Sequence, residues 1–192
     1  MPELPTTQRG AATSRRILDA AAGEFAERGI AGARIDRIIA AAHTNKAQLY
    51  GYFGSKDGLF DAIIADRADR LIDVIPFDAN DLPGWAVGIY DQTLRDPDLV
   101  RLITWLRLER RPTGRLTESP DDKPKLEAIA RAQAAGRVRP GDPADLFALV
   151  LAMACTWSPA SGFYTATADE PASEHERRRS LLRDCVLRAV TP

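Results

Sequence analysis

Cysteine is scarce in this chain of 192 residues: Cys155 and Cys185 are the only two, and no CxxC pair occurs. That count and spacing exclude a disulfide framework and a cysteine-built zinc site. Histidine is equally rare, with His43 and His175 far apart and no HExxH around either. No metal-ligand cluster, Cys–His pair or Ser–His–Asp spacing offers itself, so the chain is expected not to be an enzyme and to need no metal or cofactor. No window of 18 apolar residues exists, too little for a membrane-spanning helix. Residues Met1 to Gly10 lack the apolar stretch of a secretory signal. A cytoplasmic location with reduced thiols is the expectation. A large excess of one charge is also missing, since 26 Lys+Arg stand against 27 Asp+Glu for a net charge of −1. This excludes a polycation that coats nucleic acid and leaves only a local basic patch for such a role.

What is present is the balance of a folded domain. Charged residues make up 28% and hydrophobic ones 45%, which suits a globular core and argues against disorder of the whole chain. The charge is unevenly spread. Residues 1–56 carry eight basic and five acidic side chains, a net +3, so residues 57–192 sum to −4. A basic head on an acidic body suggests two jobs on one chain.

Helix signals run almost throughout and strand signals are nearly absent, so the fold is expected to be all-α with about nine helices. Ile17, Leu18, Ala21, Ala22 and Phe25 recur at helical spacing from Ser14 to Arg28, with Thr13 or Ser14 as cap and Gly29 as the stop. A short helix fits Ile35 to Ala42, the segment His43-Thr44-Asn45 breaks it, and a third helix runs from Lys46 to Phe53. Ser55 can cap a long fourth helix, Lys56 to Ile75, ended by Pro76. Further helices are expected after Pro83, from Asp96-Pro97 to Arg110, from Pro124 to Ala135, from Asp142-Pro143 to Trp157, and from Ser173 to Val190. The polar stretch Thr113 to Lys123 is expected to be a loop.

The three N-terminal helices, broken at Gly29 and at His43 to Asn45, have the spacing of a helix-turn-helix. Ile35, Ile38, Ile39, Leu49 and Phe53 can form its buried side, while Arg34, Arg37, Lys46, Gln48 and Lys56 supply long polar side chains. A recognition helix needs that split between an apolar back that fixes its angle and a front that reaches bases and phosphates. The segment Arg15 to Phe60, "RRILDAAAGEFAERGIAGARIDRIIAAAHTNKAQLYGYFGSKDGLF", resembles the DNA-binding domain of tetracycline-repressor (TetR) family regulators. The most telling runs are "ILDAA…FAERG" and "LYGYFGSKDGLF".

The resemblance implies that helix three enters the major groove of double-stranded DNA, with Thr44 and Asn45 at its start and Lys46, Ala47 and Gln48 at base-reading positions. Gln48 can pair with adenine and Lys46 with guanine. Tyr50 and Tyr52 match phosphate-side positions, and Lys56 matches a lysine that opens helix four. Three departures stand out. His43 occupies the place of a turn glycine, Ala33-Arg34 replaces a Ser or Thr cap, and Asp36 stands where a base is common, there to pair with Arg37 or accept from cytosine.

The remaining chain resembles the family in being helical. Trp85, Tyr90, Trp105, Phe147, Met153 and Trp157 are the candidate lining of an effector pocket for a small apolar or aromatic molecule. Cys155 and Cys185 are expected to be buried thiols, and the run from Glu174 to Arg179 a solvated helix face. The stretch "LFALVLAMACTW" is apolar nearly all round, so helices 144–157 and 173–190 are the candidate homodimer interface. The expected division is a flexible arm at 1–12, a helix-turn-helix domain at 13–56 and an effector-binding and dimerisation domain at 57–192. The function implied is a ligand-released repressor on a palindromic operator. The alternatives are an activator or ligand-independent regulator of the same family and, more remotely, a helical small-molecule-binding protein or enzyme.

Overall fold

The computed structural model describes residues 8–111 and 122–192, without the side chains of Arg9 and of residues 68–74. Among these residues there are nine helices and no strand: α1 Gln8–Gly32, α2 Ile35–Ala41, α3 Lys46–Phe53, α4 Lys56–Val74, α5 Leu82–Arg95, α6 Pro97–Arg110, α7 Asp122–Ala134, α8 Pro143–Ala154 and α9 Ala172–Val190. Most of the loop expected at 113–123, and residues 1–7 of the expected arm, lie outside the described residues.

Two compact units share the chain. One contains residues 8–70 and 98–111, the other 71–97 and 122–192. A cut after Lys56 therefore differs from this division on two counts. Leu59, Phe60, Ile63 and Ile64 of α4 are buried in the core of the first unit, and so are Leu102 and Leu106 of α6. An apolar helix face goes where it is covered, and the sequence order of the helices does not restrict that choice.

In the first unit, α1 packs on α2 and α3 around Ile17, Ala21, Phe25, Ile38, Leu49 and Phe60, each essentially inaccessible. Phe25 and Phe60 meet edge to face at 5.3 Å, worth about 1 kcal/mol beyond the burial itself. α1 begins earlier than its caps suggested, so that Thr13 and Ser14 are buried inside it. The stop at Gly29 becomes a kink, at φ 72° and ψ 177°, with a last turn beyond it.

α6 explains that kink. A Cβ on Gly29 would lie 2.9 Å from Trp105 Cε3 and closer still to Glu109 Oε1. Trp105 Nε1 and Arg101 Nε donate to the Ala26 carbonyl at 3.1 and 3.3 Å, closing the helix end before the kink. The Glu109 carboxylate accepts from the backbone N–H groups of Ile30 and Ala31, both at 2.7 Å, opening the turn after it. One carbonyl before the break and two N–H groups after it are thus satisfied from one neighbouring helix.

In the second unit, α5 packs on α8 and α9, and α7 on α8. Local caps set the starts. Asp81 accepts from Gly84 N at 2.8 Å ahead of Pro83-led α5, and Asp142 accepts from Ala144 N and Asp145 N ahead of Pro143. Each such cap is worth about 1 kcal/mol. The core gathers Trp85, Ile89 and Tyr90 of α5 with Ile129 of α7, Val150 of α8 and Val186 of α9.

Candidate nucleic-acid interface

α3 is built as a two-faced helix. Leu49 and Phe53 are buried, while Lys46, Ala47, Gln48 and Tyr50 are exposed and Tyr52 is half-buried against Phe53. Its start is held locally. Asn45, in extended conformation, accepts from Gln48 N at 2.9 Å through its side chain, so this asparagine is occupied as the cap. Thr44 Oγ1 donates to Gln48 Oε1 at 2.6 Å, which orients the carboxamide. The carboxamide oxygen retains a second lone pair.

The turn before α3 takes the form that a glycine would give it. His43 has φ 49°, a left-handed conformation for which histidine is among the better non-glycine choices, and Thr44 N donates to the Ile39 carbonyl at 3.0 Å. Behind the turn, Arg16 Nε donates to the Ala42 carbonyl at 3.2 Å, at the end of α2.

The missing Ser or Thr cap of α2 leaves its first-turn amides without a side-chain cap, and α1 anchors the helix start in another way. Arg34 takes the N-cap place with no side-chain cap bond, but its own backbone N–H donates to Glu24 Oε1 at 2.9 Å. The same carboxylate, only 10% exposed, receives Arg37 through Nε at 2.8 Å and through Nη2. The Arg37 guanidinium holds the Glu24 carboxyl below the usual carboxylate range, and Glu24 in turn raises Arg37. Of the expected cations, Arg37 is thus engaged inside the head, whereas Arg34 is exposed. Asp36 lies 3.8 Å from Lys46 in an exposed ion pair, which corrects the pairing with Arg37: the nearer Glu24 has taken that partner. Lys56 Nζ donates to the Ala31 carbonyl at 3.1 Å, and Ser55 Oγ accepts from Gly58 N at 2.9 Å to cap α4.

Sequence reasoning missed Glu24 as the hub under α2 and Glu109 as the cap at the kink. The only signal of the second was Gly29 itself, since a glycine in a helical run marks either a stop or a close neighbour.

These features, a capped and outward-facing α3 braced by α2, α1 and α4, coincide with two family patterns. "Bacterial regulatory proteins, tetR family" matches residues 17–63, and "Tetracyclin repressor-like, C-terminal domain" matches residues 81–188. The chain belongs to the TetR family of transcriptional regulators. Among relatives, the HTH-type transcriptional repressor SCO4008 of Streptomyces coelicolor is 38% identical over 148 residues, covering 74% of this chain and 77% of that protein. The solved structure of the transcriptional regulator SCO4942 from Streptomyces coelicolor is 36% identical, with a TM-score of 0.77 over 93% of this chain and 98% of that one. AibR, solved with isovaleryl coenzyme A and operator DNA, shares the fold at 21% identity, with a TM-score of 0.65 over 91% of this chain and 97% of that one.

In this TetR-family chain the aromatic side chains of the expected pocket do not all come together. Trp85 and Phe147 pack at 5.3 Å, with Phe77 edge-on to both, and Trp157 meets Tyr90 at 5.7 Å. Met153 is packed against the same core. Trp105 is a correction, because it sits in the first unit, bonded to Ala26. A tryptophan on the kink-facing side of α6 was taken by the gap over Gly29. A groove of about 310 Å³ runs beside Trp85, past Ile75, Asp78, Asp81, Asp91 and Arg95.

Two further corrections concern α8 and α9. Cys155 is half-buried, its thiol pushed up to about 11 by desolvation, while Cys185 is exposed. The run from Glu174 to Arg179 is not a solvated face throughout: His175 and Arg178 are 6% and 4% exposed. His175 pairs with the Tyr90 hydroxyl of α5 and Arg178 with Glu170, which a one-dimensional charge count does not reveal. No described helix is long and apolar enough to cross a membrane.

Proposed function

We propose that this TetR-family regulator is a homodimeric repressor that reads a palindromic operator through α3 and releases it when a small effector occupies the second unit. The observation that carries the reading is the split face of α3, with Leu49 and Phe53 inward and Lys46, Ala47, Gln48 and Tyr50 outward. Such a helix offers a carboxamide and an ammonium to base edges while its back fixes the docking angle. Arg34, Lys46, Tyr50, Tyr52 and Lys56 are the proposed phosphate and base contacts around Gln48. Thr44, Asn45 and Arg37 support them by orienting Gln48, capping α3 and steadying α2.

The dimer is proposed to form through α8 and α9. Leu149 and Leu151 on α8, and Leu181 and Leu187 on α9, are between 36% and 52% exposed, a large apolar display for helix faces in a folded unit. A two-fold pair places two recognition helices on two half-sites, so that operator symmetry mirrors protein symmetry. For the effector, the proposed lining is Trp85, Tyr90, Phe147, Met153 and Trp157. α4 is continuous through residue 70, where the chain passes from one unit to the other. An effector that prefers one arrangement of the second unit therefore acts on the first through a shared helix, and effector and operator oppose each other by linkage. The repressor SCO4008 and the effector-and-operator complex of AibR support this reading by kinship and by fold.

A gel-shift titration of the purified protein against DNA flanking its own gene tests the proposal. A retarded band that survives excess unrelated DNA is expected; binding no tighter to that DNA than to an unrelated duplex contradicts operator recognition.

A further inference from the structure

The second unit contains a buried polar cluster that the DNA-reading function does not use. His175 and Arg178 stand one turn apart on α9, and so on one face of it. Both are more than nine-tenths buried, and Tyr90, against which they lie, is fully buried. The Tyr90 hydroxyl pairs with His175 Nδ1 at 2.8 Å. Arg178 Nη2 donates to Glu170 Oε2 at 2.6 Å, and the Tyr164 ring lies across its guanidinium at 5.1 Å.

Two nitrogens in this cluster have no hydrogen-bond partner among the described residues, His175 Nε2 and Arg178 Nη1. Where the Tyr90 hydroxyl donates its proton to His175 Nδ1, the imidazole hydrogen lies on Nε2. Both orphans are then donors. Buried donors without acceptors are unfavourable and rare in folded proteins. Glu170 occupies one half of the Arg178 fork and leaves the other half open. Two N–H donors from planar groups on adjacent positions of one helix face suit the two oxygens of a carboxylate. The surroundings are aromatic: Tyr90 carries Trp157 edge-on at 5.7 Å, and Tyr164, itself 45% exposed, covers the guanidinium. A half-exposed ring is thus what covers Arg178 on that side.

We propose that His175 and Arg178 form a binding site for a small aromatic carboxylate, held by His175 Nε2 and Arg178 Nη1 with its ring among Tyr90, Trp157 and Tyr164. This rests on reading the second unit as the effector-binding part, and it gives that effector a chemical class. The occupant bridges the two open donors without disturbing the ion pair of Arg178 with Glu170.

The test uses the full chain with benzoate, phenylacetate and acetate, and with benzamide as the neutral match to benzoate. Calorimetric titration and thermal shift are expected to show benzoate or phenylacetate binding at least about tenfold tighter than benzamide, from the value of a charged hydrogen bond. His175→Phe is expected to lose about tenfold in that affinity, and Arg178→Gln to erase the preference for benzoate over benzamide. If Arg178→Gln does not fold, the wild-type protein still decides the matter. His175 is one of only two histidines, so its Nε2–H signal in a long-range ¹H–¹⁵N spectrum is directly followed and is expected to shift on saturation with benzoate. No binding by any of the three carboxylates, equal binding of benzoate and benzamide, or an unmoved His175 signal overturns the proposal and leaves water as the acceptor. Operator binding measured in parallel without carboxylate keeps the two readings apart, because DNA binding that persists while carboxylates fail removes this site alone.

Discussion

Glu24 of α1 anchors the start of α2 through a backbone amide and a side chain at once. Its carboxylate takes the Arg34 N–H and the Arg37 side chain together, and its lowered pKa reflects those bonds. Glu24→Gln is expected to cost about 2 kcal/mol in urea unfolding, since it weakens the charge-assisted pair with Arg37 and the bond to the Arg34 N–H in one step. Gln48 is the opposite case, an exposed side chain with little structural duty. Gln48→Ala should leave the melting temperature unchanged and weaken operator binding by about 1–3 kcal/mol, with specificity relaxed at one base pair, as read by fluorescence anisotropy. Glu170 supplies a pH test. Arg178, followed by the Thr167 N–H, holds its carboxyl at about 2, against an ordinary value of 4.5. A carboxylate with a depressed folded-state pKa stabilises above its unfolded value and loses that contribution as pH falls. The gap in melting temperature between wild type and Glu170→Gln is therefore expected to be full at pH 7, to shrink below about 4.5 and to vanish near pH 2.

Elements show how local signals and distant neighbours divide the work. Caps at Asn45, Ser55, Asp81 and Asp142 lie within three residues of the amides they serve, so α3, α4, α5 and α8 begin where the sequence places them. α1 is different. Its break at Gly29 was legible, but the filling of the break by Trp105 and Glu109, 79 residues from their backbone partners Ala26 and Ile30, was not. Gly29→Ala is expected to destabilise the protein by more than about 1 kcal/mol, from the positive φ and from the collision with α6. Urea unfolding measures it, and a neutral result contradicts the packing described. Gly58→Ala should behave similarly, because a Cβ there would overlap the Phe53 carbonyl oxygen.

For the whole molecule, the charge split of +3 on residues 1–56 and −4 beyond places the electrostatics of DNA binding in the first unit. With Arg37 committed to Glu24, Arg34, Lys46 and Lys56 remain as the cations brought to the DNA, or about six neutralised charges per dimer and a log–log salt slope of about −5. A slope near −7, the value for about eight phosphates, would mean that Arg37 leaves Glu24 on binding. Leu149→Glu combined with Leu181→Glu is expected to give a monomer by analytical ultracentrifugation, with operator binding lost alongside dimerisation; a dimer that persists would move the interface off α8 and α9.

By itself the sequence determined the all-helical class, nearly every helix start, the turn at His43 and the two-faced α3. These depend on caps, prolines and apolar spacing over a few residues. Only the tertiary structure decided that α6 joins the DNA-reading unit, that Arg37 belongs to Glu24, that Trp105 closes a kink, and that His175 and Arg178 are buried against Tyr90. α6 goes where its apolar face is covered, and the other outcomes turn on which polar group reaches a partner elsewhere along the chain. Buried donors and acceptors are paired by proximity in space, which no local pattern encodes.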